Sequence, residues 1–485
     1  MSSISELQPS LLWQFFAKIC SIPHPSYHEQ AIAEWIMNWA KEKQIEANRD
    51  EAGNIILRKP ATPGMEDCKG AILQAHMDMV PQANSDNQHD FTRDPIEAYI
   101  DGEWVTAKGT TLGSDNGIGL ASILAVFDAN NITHGPLEAL ITMTEEAGME
   151  GAFGLKPGLF EGSVLINTDS EQEGDVYMGC AGGIDVYVEF DADPIPAPQG
   201  IALNIALKGL KGGHSGCDIH TGRGNASKLL VRLLTEFKQS CLFTLVSLDG
   251  GNLRNAIPRE AHATIIIAPE SEPTLQQFVS EFQATLSEEI GTVEANLEFS
   301  LTPVDKPQQA MSAPLTHRVL HALNVCPNGV VSMSQEITGV VETSLNLGIV
   351  HTTDEGQVKM QMLVRSLVDS HRMHVVEVLT SLFELADAKL HTNGGYPGWK
   401  PDPHSPIMKV TQATYEELYG TKPHAMVIHA GLECALFKTA YPHWDMVSFG
   451  PTIRFPHSPD EKVNIKSVEK YWQLLVATLK NIPKA

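Results

Sequence analysis

Apolar residues along this chain recur with two different periods, and the change from one to the other marks out its parts. Near the start Ile32, Trp35, Ile36 and Trp39 recur at i, i+3, i+4 and i+7, the stripe of an amphipathic helix. Ser26 followed by Glu29 predicts a capping box at the start of that helix, and a short helix precedes it. Beyond lie GNIILRKP, GAILQAHMDM, EALITMTEE and GSVLINTDS, apolar runs too short for helices. Together with the glycine-rich helix SDNGIGLASILAVFDAN they predict an α/β arrangement: a mixed or parallel sheet flanked by helices on both faces.

From about Gly183 the pattern changes. The segments IDVYVEFDADP, IALNIALKGL and AHATIIIAPE alternate apolar and polar residues, with helices such as ASKLLVRLLTEFKQ between them, which predicts an inserted α+β domain. YPGWKPDPHSP has the proline and glycine density of a linker. After it the first pattern resumes with the strand DMVSFGP and the closing helix IKSVEKYWQLLVATLK. The expected organisation is a discontinuous domain, 1–183 plus 400–485, interrupted by a second domain at 184–399.

Composition narrows the function. The 485 residues are 42% hydrophobic and carry a formal net charge of −25, which repels nucleic acid and anionic membranes, and no basic run offsets it. No stretch approaches the roughly 18 apolar residues of a membrane span, and the first residues lack a basic leader with a cleavage site. The seven cysteines are scattered and never spaced C-x-x-C, which argues for a reducing compartment and against a thiolate metal site. A cytoplasmic protein is expected.

Polar residues that interrupt the apolar runs carry the chemistry. His76 and Asp78 are two apart in AILQAHMDMV, so period-two geometry puts them on one face. A carboxylate that accepts the second N–H of a ligating imidazole fixes its tautomer. Asp115 opens a helix among Gly113, Gly117 and Gly119, more glycine than a simple N-cap requires. Glu145 and Glu146 close another strand, where adjacent residues point apart and so take distinct roles. LINTDS ends another apolar strand at Asp169, and His457 follows DMVSFG in FGPTIRFPHSPDE. Four of these segments place polar residues at the C-terminal end of an apolar strand, the edge where ligands bind in open α/β sheets. The set of His, Asp, Glu, Asp and His suits two zinc ions, with manganese or cobalt as substitutes. Five ligands serve two ions only if one carboxylate bridges them, and Asp115 is the expected bridge.

The segments AHMDMV, GSDNGIG, TEEAGM, NTDS and PHSPDE together resemble the aminoacylase/carboxypeptidase family of two-zinc metallopeptidases, and the resemblance covers nearly the whole chain. It implies that Asp115 bridges, that His76 and Asp169 complete one ion, and that Glu146 and His457 complete the other. It further implies that Asp78 orients His76, that Glu145 is the general base, and that the peptide after Asp115 is cis. In the inserted domain, His214 and Asn255 are implied as donors to the developing oxyanion and Arg365 as the clamp on the substrate's carboxylate. That domain is also implied to act as a lid and to build a homodimer. The implied activity is hydrolysis of unblocked dipeptides, Xaa-His and carnosine-type substrates included. The same metals and base would serve an N-acyl-amino-acid amidohydrolase, and a catalytically silent metal-binding protein would not need Glu145. IHAGLEC, with His429 and Glu433, is placed near the cleft or in the packing.

Overall fold

In the computed structural model, which describes residues 3–84 and 87–485, the chain forms two compact units. The first comprises Met1–Cys180, Trp399–Val427 and Leu432–Ala485, and the second Ala181–Gly398 and Ile428–Gly431. The short segment Ile428–Gly431 is separated from its neighbours by no change of pattern, and the sequence reading left it with the first domain.

The first unit is built on an eight-stranded mixed sheet, in the order Glu46–Arg49, Ile55–Lys59, Leu137–Thr142, Ala71–His76, Val164–Asn167, Asp445–Ser448, Asp175–Cys180 and His424–Ile428. The four strands from Leu137–Thr142 to Asp445–Ser448 run parallel. Ala71–His76 and Leu137–Thr142 are buried at every position, which is why they read as continuous apolar runs. Register aligns their C-terminal ends: His76 lies opposite Thr142, Gln74 opposite Asn167, and Ser448 opposite Asn167. Whatever follows these strands therefore emerges along one edge.

A second, four-stranded sheet pairs Ile453–Arg454 with Lys462–Asn464 and continues through Trp104–Ala107 to Ala98–Asp101. His457 lies in the loop of the first hairpin, with φ of 60°.

The capping box does not form. The amphipathic helix begins at Gln30, and its N-cap, Glu29, makes no side-chain capping bond. Tyr27, at φ 68°, turns the chain between Ser26 and the helix, so both side chains of the expected box are free to serve elsewhere. Glu145 and Glu146 are not strand residues either. Their strand ends at Thr142, Thr144 adopts φ 51°, and Glu145–Gly148 form a single helical turn.

The second unit is a wholly antiparallel sheet, ordered Glu298–Val304, Ile201–Lys208, Ala261–Ile267, Thr244–Gly250, Val341–Thr352, Val358–Ser366, Gly182–Phe190 and Lys389–Tyr396, with Gly329–Met333 also on Val341–Thr352. Alternate residues such as Ile184, Val186, Val188 and Phe190 enter one core with the apolar sides of helices Ala226–Phe237, Glu272–Ile290, Ala313–Val325 and Asp369–Leu385. That alternation is the pattern of a sheet with a single covered face. Among the described residues no helix is long and apolar enough to cross a membrane.

Candidate active site

The edge where the parallel strands end gathers the charged residues of the first unit. His76 is the last residue of its strand, and Asp78 lies beyond it rather than on the same strand. The two are nonetheless in contact: His76 Nδ1 is 3.0 Å from the carbonyl oxygen of Asp78 and 3.3 Å from its Oδ1. Either acceptor places a proton on Nδ1 and leaves Nε2 as a ligating lone pair.

Asp115 stands at the centre. Its Oδ1 is 3.3 Å from His76 Nε2 and its Oδ2 is 3.1 Å from His457 Nε2. His76 Nε2 is also 3.5 Å from Asp169 Oδ1, and His457 Nε2 is 3.0 Å from Glu146 Oε2. The order is thus Asp169, His76, Asp115, His457, Glu146, with one carboxylate oxygen of Asp115 turned to each imidazole. The Asp115–Asn116 peptide is cis, as the resemblance implies. Asn116 Nδ2 donates to Asp169 Oδ1 and to the carbonyl of Thr168. Gly119 leaves room for this, since a Cβ there would fall 2.0 Å from Asn116 Oδ1 and 2.3 Å from Thr168 Oγ1.

Two acidic cradles hold the backbone that presents these groups. Glu461 accepts hydrogen bonds from the N–H groups of Leu112, Gly113, Ser114 and Asp115, at 2.8 to 3.2 Å, and from Ser114 Oγ at 2.6 Å. The hairpin that carries His457 to the carboxylate of Asp115 therefore also anchors the Asp115 backbone. In the second cradle, Asn54 Oδ1 takes the N–H of Met143 and Glu29 Oε1 that of Thr144. Asp78 takes those of Glu145, at 3.0 Å, and Glu146, at 3.2 Å. A strand end followed by a helical turn leaves four such donors without partners, and here each finds a side-chain acceptor. Ser26 Oγ donates to Asp78 Oδ2 at 2.8 Å, so the residues expected to cap a helix support the Glu145 turn instead.

Crowding of acids shapes the electrostatics. Burial, then Asp115, pushes the Glu146 carboxyl up to about 7. Burial, then Asp115 and Asp169, pushes Glu171 up to about 8. Glu145 is raised well above its usual 4.5, by burial first and then by Asp169, Glu146 and Glu433 against His76. Asp115 is held far below the carboxylate range, where burial, which would raise it, is outweighed by its bond to His457 and the neighbouring His76 imidazole. His457 is pushed up to about 11 by those bonds to Asp115 and Glu146. Protein groups alone leave these acids short of positive charge.

A metal fits that shortage. Among the described residues, His76 Nε2 and Glu146 Oε1 are buried without a hydrogen-bond partner, and ligand atoms of His76, Asp115 and Glu146 all lie within 4.8 Å of one another. Imidazole and carboxylate without thiolate is a donor set for zinc or its borderline neighbours.

The second unit holds a separate cluster of basic groups. Arg365, on strand Val358–Ser366, is only 5% exposed, so it is not a surface arginine. It donates from Nη1 to Tyr396 Oη at 3.0 Å and from Nε to Ser215 Oγ at 3.4 Å. His214 pairs through the strand Gly213–His214 with Ala256–Ile257, next to Asn255, whose carbonyl accepts the Ser215 N–H and whose side chain is exposed. His214 Nδ1 accepts the N–H groups of Gly216 and Cys217, at 3.1 and 3.0 Å, so its proton resides on Nε2. Burial, then Arg365, holds His214 down to about 4. His429 joins the cluster through Ser344, its Nε2 being 2.8 Å from Oγ.

Sequence reasoning missed Asn54 and Glu461, which accept from backbone amides, and Gln74 and Asn167, which lie beneath the site, and it gave Ser26 and Glu29 a capping role in place of their bonds to Asp78 and the Thr144 N–H. Gln74 and Asn167 carried a signal, as polar residues inside apolar strands.

The family model of peptidase family M20/M25/M40 matches residues 72–481. Cytosol non-specific dipeptidase of Escherichia coli (strain K12) is 54% identical over 484 residues, which are 100% of either chain. The crystal structure of aminoacylhistidine dipeptidase from Vibrio alginolyticus superposes with a TM-score of 0.93 at 55% identity, over 100% of this chain and 99% of that one. A tripeptidase from Staphylococcus aureus shares the fold at a TM-score of 0.62 and 16% identity, over 98% and 99% of the two chains.

Proposed function

From the premise that the chain belongs to peptidase family M20/M25/M40 and is a dipeptidase, we propose that it is a two-zinc enzyme whose general base is Glu145. The observation that carries the proposal is the carboxylate of Asp115, set between two imidazoles with one oxygen facing each. His76 and Asp169 would hold one ion, Glu146 and His457 the other, and Asp115 both. When bound, two such cations acidify a shared water and polarise the scissile carbonyl.

The protein's own residues supply the rest. Asp78 fixes the turn that carries Glu145 and keeps the His76 tautomer that leaves Nε2 free. Glu145 takes a proton from the attacking water on its carboxylate and returns it to the leaving amine nitrogen. A base whose pKa is raised toward working pH suits both transfers, and burial and neighbouring acids raise Glu145. In the second unit, the Nε2–H of His214 and the amide of Asn255 would donate to the oxyanion. The Arg365 fork would bind the substrate's terminal carboxylate. The homodimer implied by the resemblance belongs to the same proposal, as does the cytoplasmic location suggested by the name of the E. coli relative.

The two similar dipeptidases are named for different specificities, one non-specific and one for aminoacyl-histidine. Hydrolysis of carnosine, alanyl-histidine, alanyl-alanine, a tripeptide and N-acetyl-alanine by metal-stripped protein, before and after zinc is restored, tests the proposal. Zinc-dependent cleavage confined to unblocked dipeptides is expected, with histidine substrates among the best. Cleavage of N-acetyl-alanine alone would make the chain an acylase, and cleavage without metal would overturn the zinc reading.

A further inference from the structure

Beneath the charged cluster a row of buried polar side chains crosses the parallel strands. Its root is Glu433, the first residue of helix Glu433–Ala440. Glu433 Oε2 accepts from Gln74 Nε2 at 2.6 Å and from Thr142 Oγ1 at 2.7 Å. Its Oε1 is buried and meets no hydrogen-bond partner among the described residues. Gln74 Oε1 in turn accepts from Asn167 Nδ2. Asn167 Oδ1 accepts from the backbone N–H of Asp169 at 3.1 Å and from Ser448 Oγ at 2.5 Å. Glu433, Gln74, Thr142, Asn167 and Ser448 are all 0% exposed, so water does not compete for these bonds.

The row has only one self-consistent polarity. A backbone N–H can only donate, so Asn167 must turn its oxygen to Asp169 and its NH2 to Gln74. Gln74 must then turn its own NH2 to residue 433, which has to accept. A carboxylate does so, and so does an amide turned oxygen first; an apolar side chain does not. Once the acceptor is lost, Gln74 Nε2 keeps only Thr142 Oγ1, at 3.2 Å, and the Thr142 hydroxyl only the carbonyl of Ala75, at 3.3 Å; one buried N–H of Gln74 is then unpaired, and both amides gain a reason to flip. The strand positions transmit this upward. Gln74 shares a strand face with His76, Asn167 precedes Asp169 by two residues, and Thr142 ends the strand that leads into the Glu145 turn.

We propose that Glu433 is a positioning residue for the hydrolysis, acting as the acceptor that sets the direction of the Gln74–Asn167 relay and thereby the placement of Asp169 and of the strand end before Glu145. The inference rests on the reading of Asp169 as a metal ligand given under Proposed function. A displacement of about 1 Å in an active site costs on the order of 100-fold in rate, which sets the scale of the expected effect.

The test compares Glu433→Ala, Glu433→Gln, Gln74→Met and Asp169→Asn by zinc affinity of the stripped protein, kcat and KM on alanyl-alanine, and circular dichroism. Glu433→Ala and Gln74→Met should each lower kcat on the order of 100-fold, leave KM nearly unchanged and weaken binding of one zinc. Combining them should do no more damage than the worse single change. Glu433→Gln should restore both readouts close to those of the natural protein. A purely structural role would reduce the folded fraction while leaving zinc affinity and kcat per folded molecule intact, and that result overturns the proposal. Equal damage from Glu433→Gln and Glu433→Ala overturns it too, because charge rather than polarity would then matter. Should Glu433→Ala fail to fold, Gln74→Met and Glu433→Gln decide on the same criteria. Asp169→Asn separates the two levels. Normal zinc binding in that variant sinks the metal-site reading itself, whereas weakened binding there with unaffected Glu433→Ala and Gln74→Met sinks only the relay.

Discussion

His457 and His214 are the same residue type in two units of one chain, and they are driven in opposite directions. His457 is pushed up to about 11 by Asp115 and Glu146, while His214 is held down to about 4 by burial and then by Arg365. The first unit concentrates carboxylates until its imidazoles are bound to positive charge, as protons or as metal. The second surrounds one fixed cation, Arg365, with histidines kept neutral, and the amides of Gly216 and Cys217 choose the tautomer of His214. In the proposed function the first cluster holds cations and moves protons. In the same proposal the other offers hydrogen-bond donors and the positive charge of Arg365. A peptidase acting on small zwitterions needs both kinds of chemistry: negative charge to hold metals and a base, and positive charge to hold a carboxylate.

The sharpest way to break that division is Glu145→Gln. If the anionic cluster contains the base, this change should lower kcat by about 10³- to 10⁴-fold. Zinc content, measured by elemental analysis, should not change, since Glu145 is outside the proposed ligand set. Near-normal turnover would remove Glu145 as the base. The next largest effect belongs to the cationic cluster. Arg365→Met should raise KM for a dipeptide roughly 30-fold or more, the scale of losing a buried charged hydrogen bond, and should leave kcat and zinc content much less affected. The same variant acting on the dipeptide's C-terminal amide is the control. An equal rise in KM for both substrates would show that Arg365 does not bind the carboxylate, and the two clusters would no longer divide the work as described.

The two clusters also differ in how far the sequence revealed them. His76, Asp169 and the Glu145–Glu146 pair stand at or just beyond the ends of apolar strands, where a polar residue is conspicuous and the sheet edge supplies a geometric reason. Asp115 was legible because glycines flank it in numbers that a simple N-cap does not need, and His457 because its loop follows the strand DMVSFG. His214, Asn255 and Arg365 have no such frame. Each could be a loop or surface residue when taken singly, and only the family resemblance singled them out. Periodicity reports which face of an element is apolar, and it carries nothing about which backbone amides a distant side chain will accept. For that reason Glu461, which holds the N–H groups of residues 112–115, and Asn54, which holds that of Met143, passed unnoticed. Ser26 and Glu29 were misread for a related reason. The spacing of a capping box is a local signal, and the turn at Tyr27 let both residues serve a partner far away in sequence, Ser26 meeting Asp78 and Glu29 meeting Thr144.

The smallest effect tests whether Arg365 is the cluster's fixed charge, and it turns on His429. Burial first, then Arg365, His214 and His220, hold its imidazole down to about 3 from a usual 6.5, and it is 7% exposed. Between those two values the unfolded chain binds a proton that the folded chain refuses, so stability rises with pH across this window. The favourable contribution is complete above about pH 6.5 and is lost as pH falls toward 3. An asparagine at this position can still bond Ser344 Oγ but does not titrate. Between pH 7 and pH 5 the natural protein should therefore lose about 1–2 kcal/mol more stability than His429→Asn. Urea unfolding of both proteins after metal removal measures the difference, because proton uptake by the acidic cluster of the first unit is then common to both. Parallel pH profiles would mean that His429 takes up its proton over the same pH range in the folded and the unfolded chain, and so is protonated in the folded protein at pH 5. The second unit would then carry at least two positive charges beside Ser344, and its contrast with the first would be one of charge sign alone rather than of protonation state.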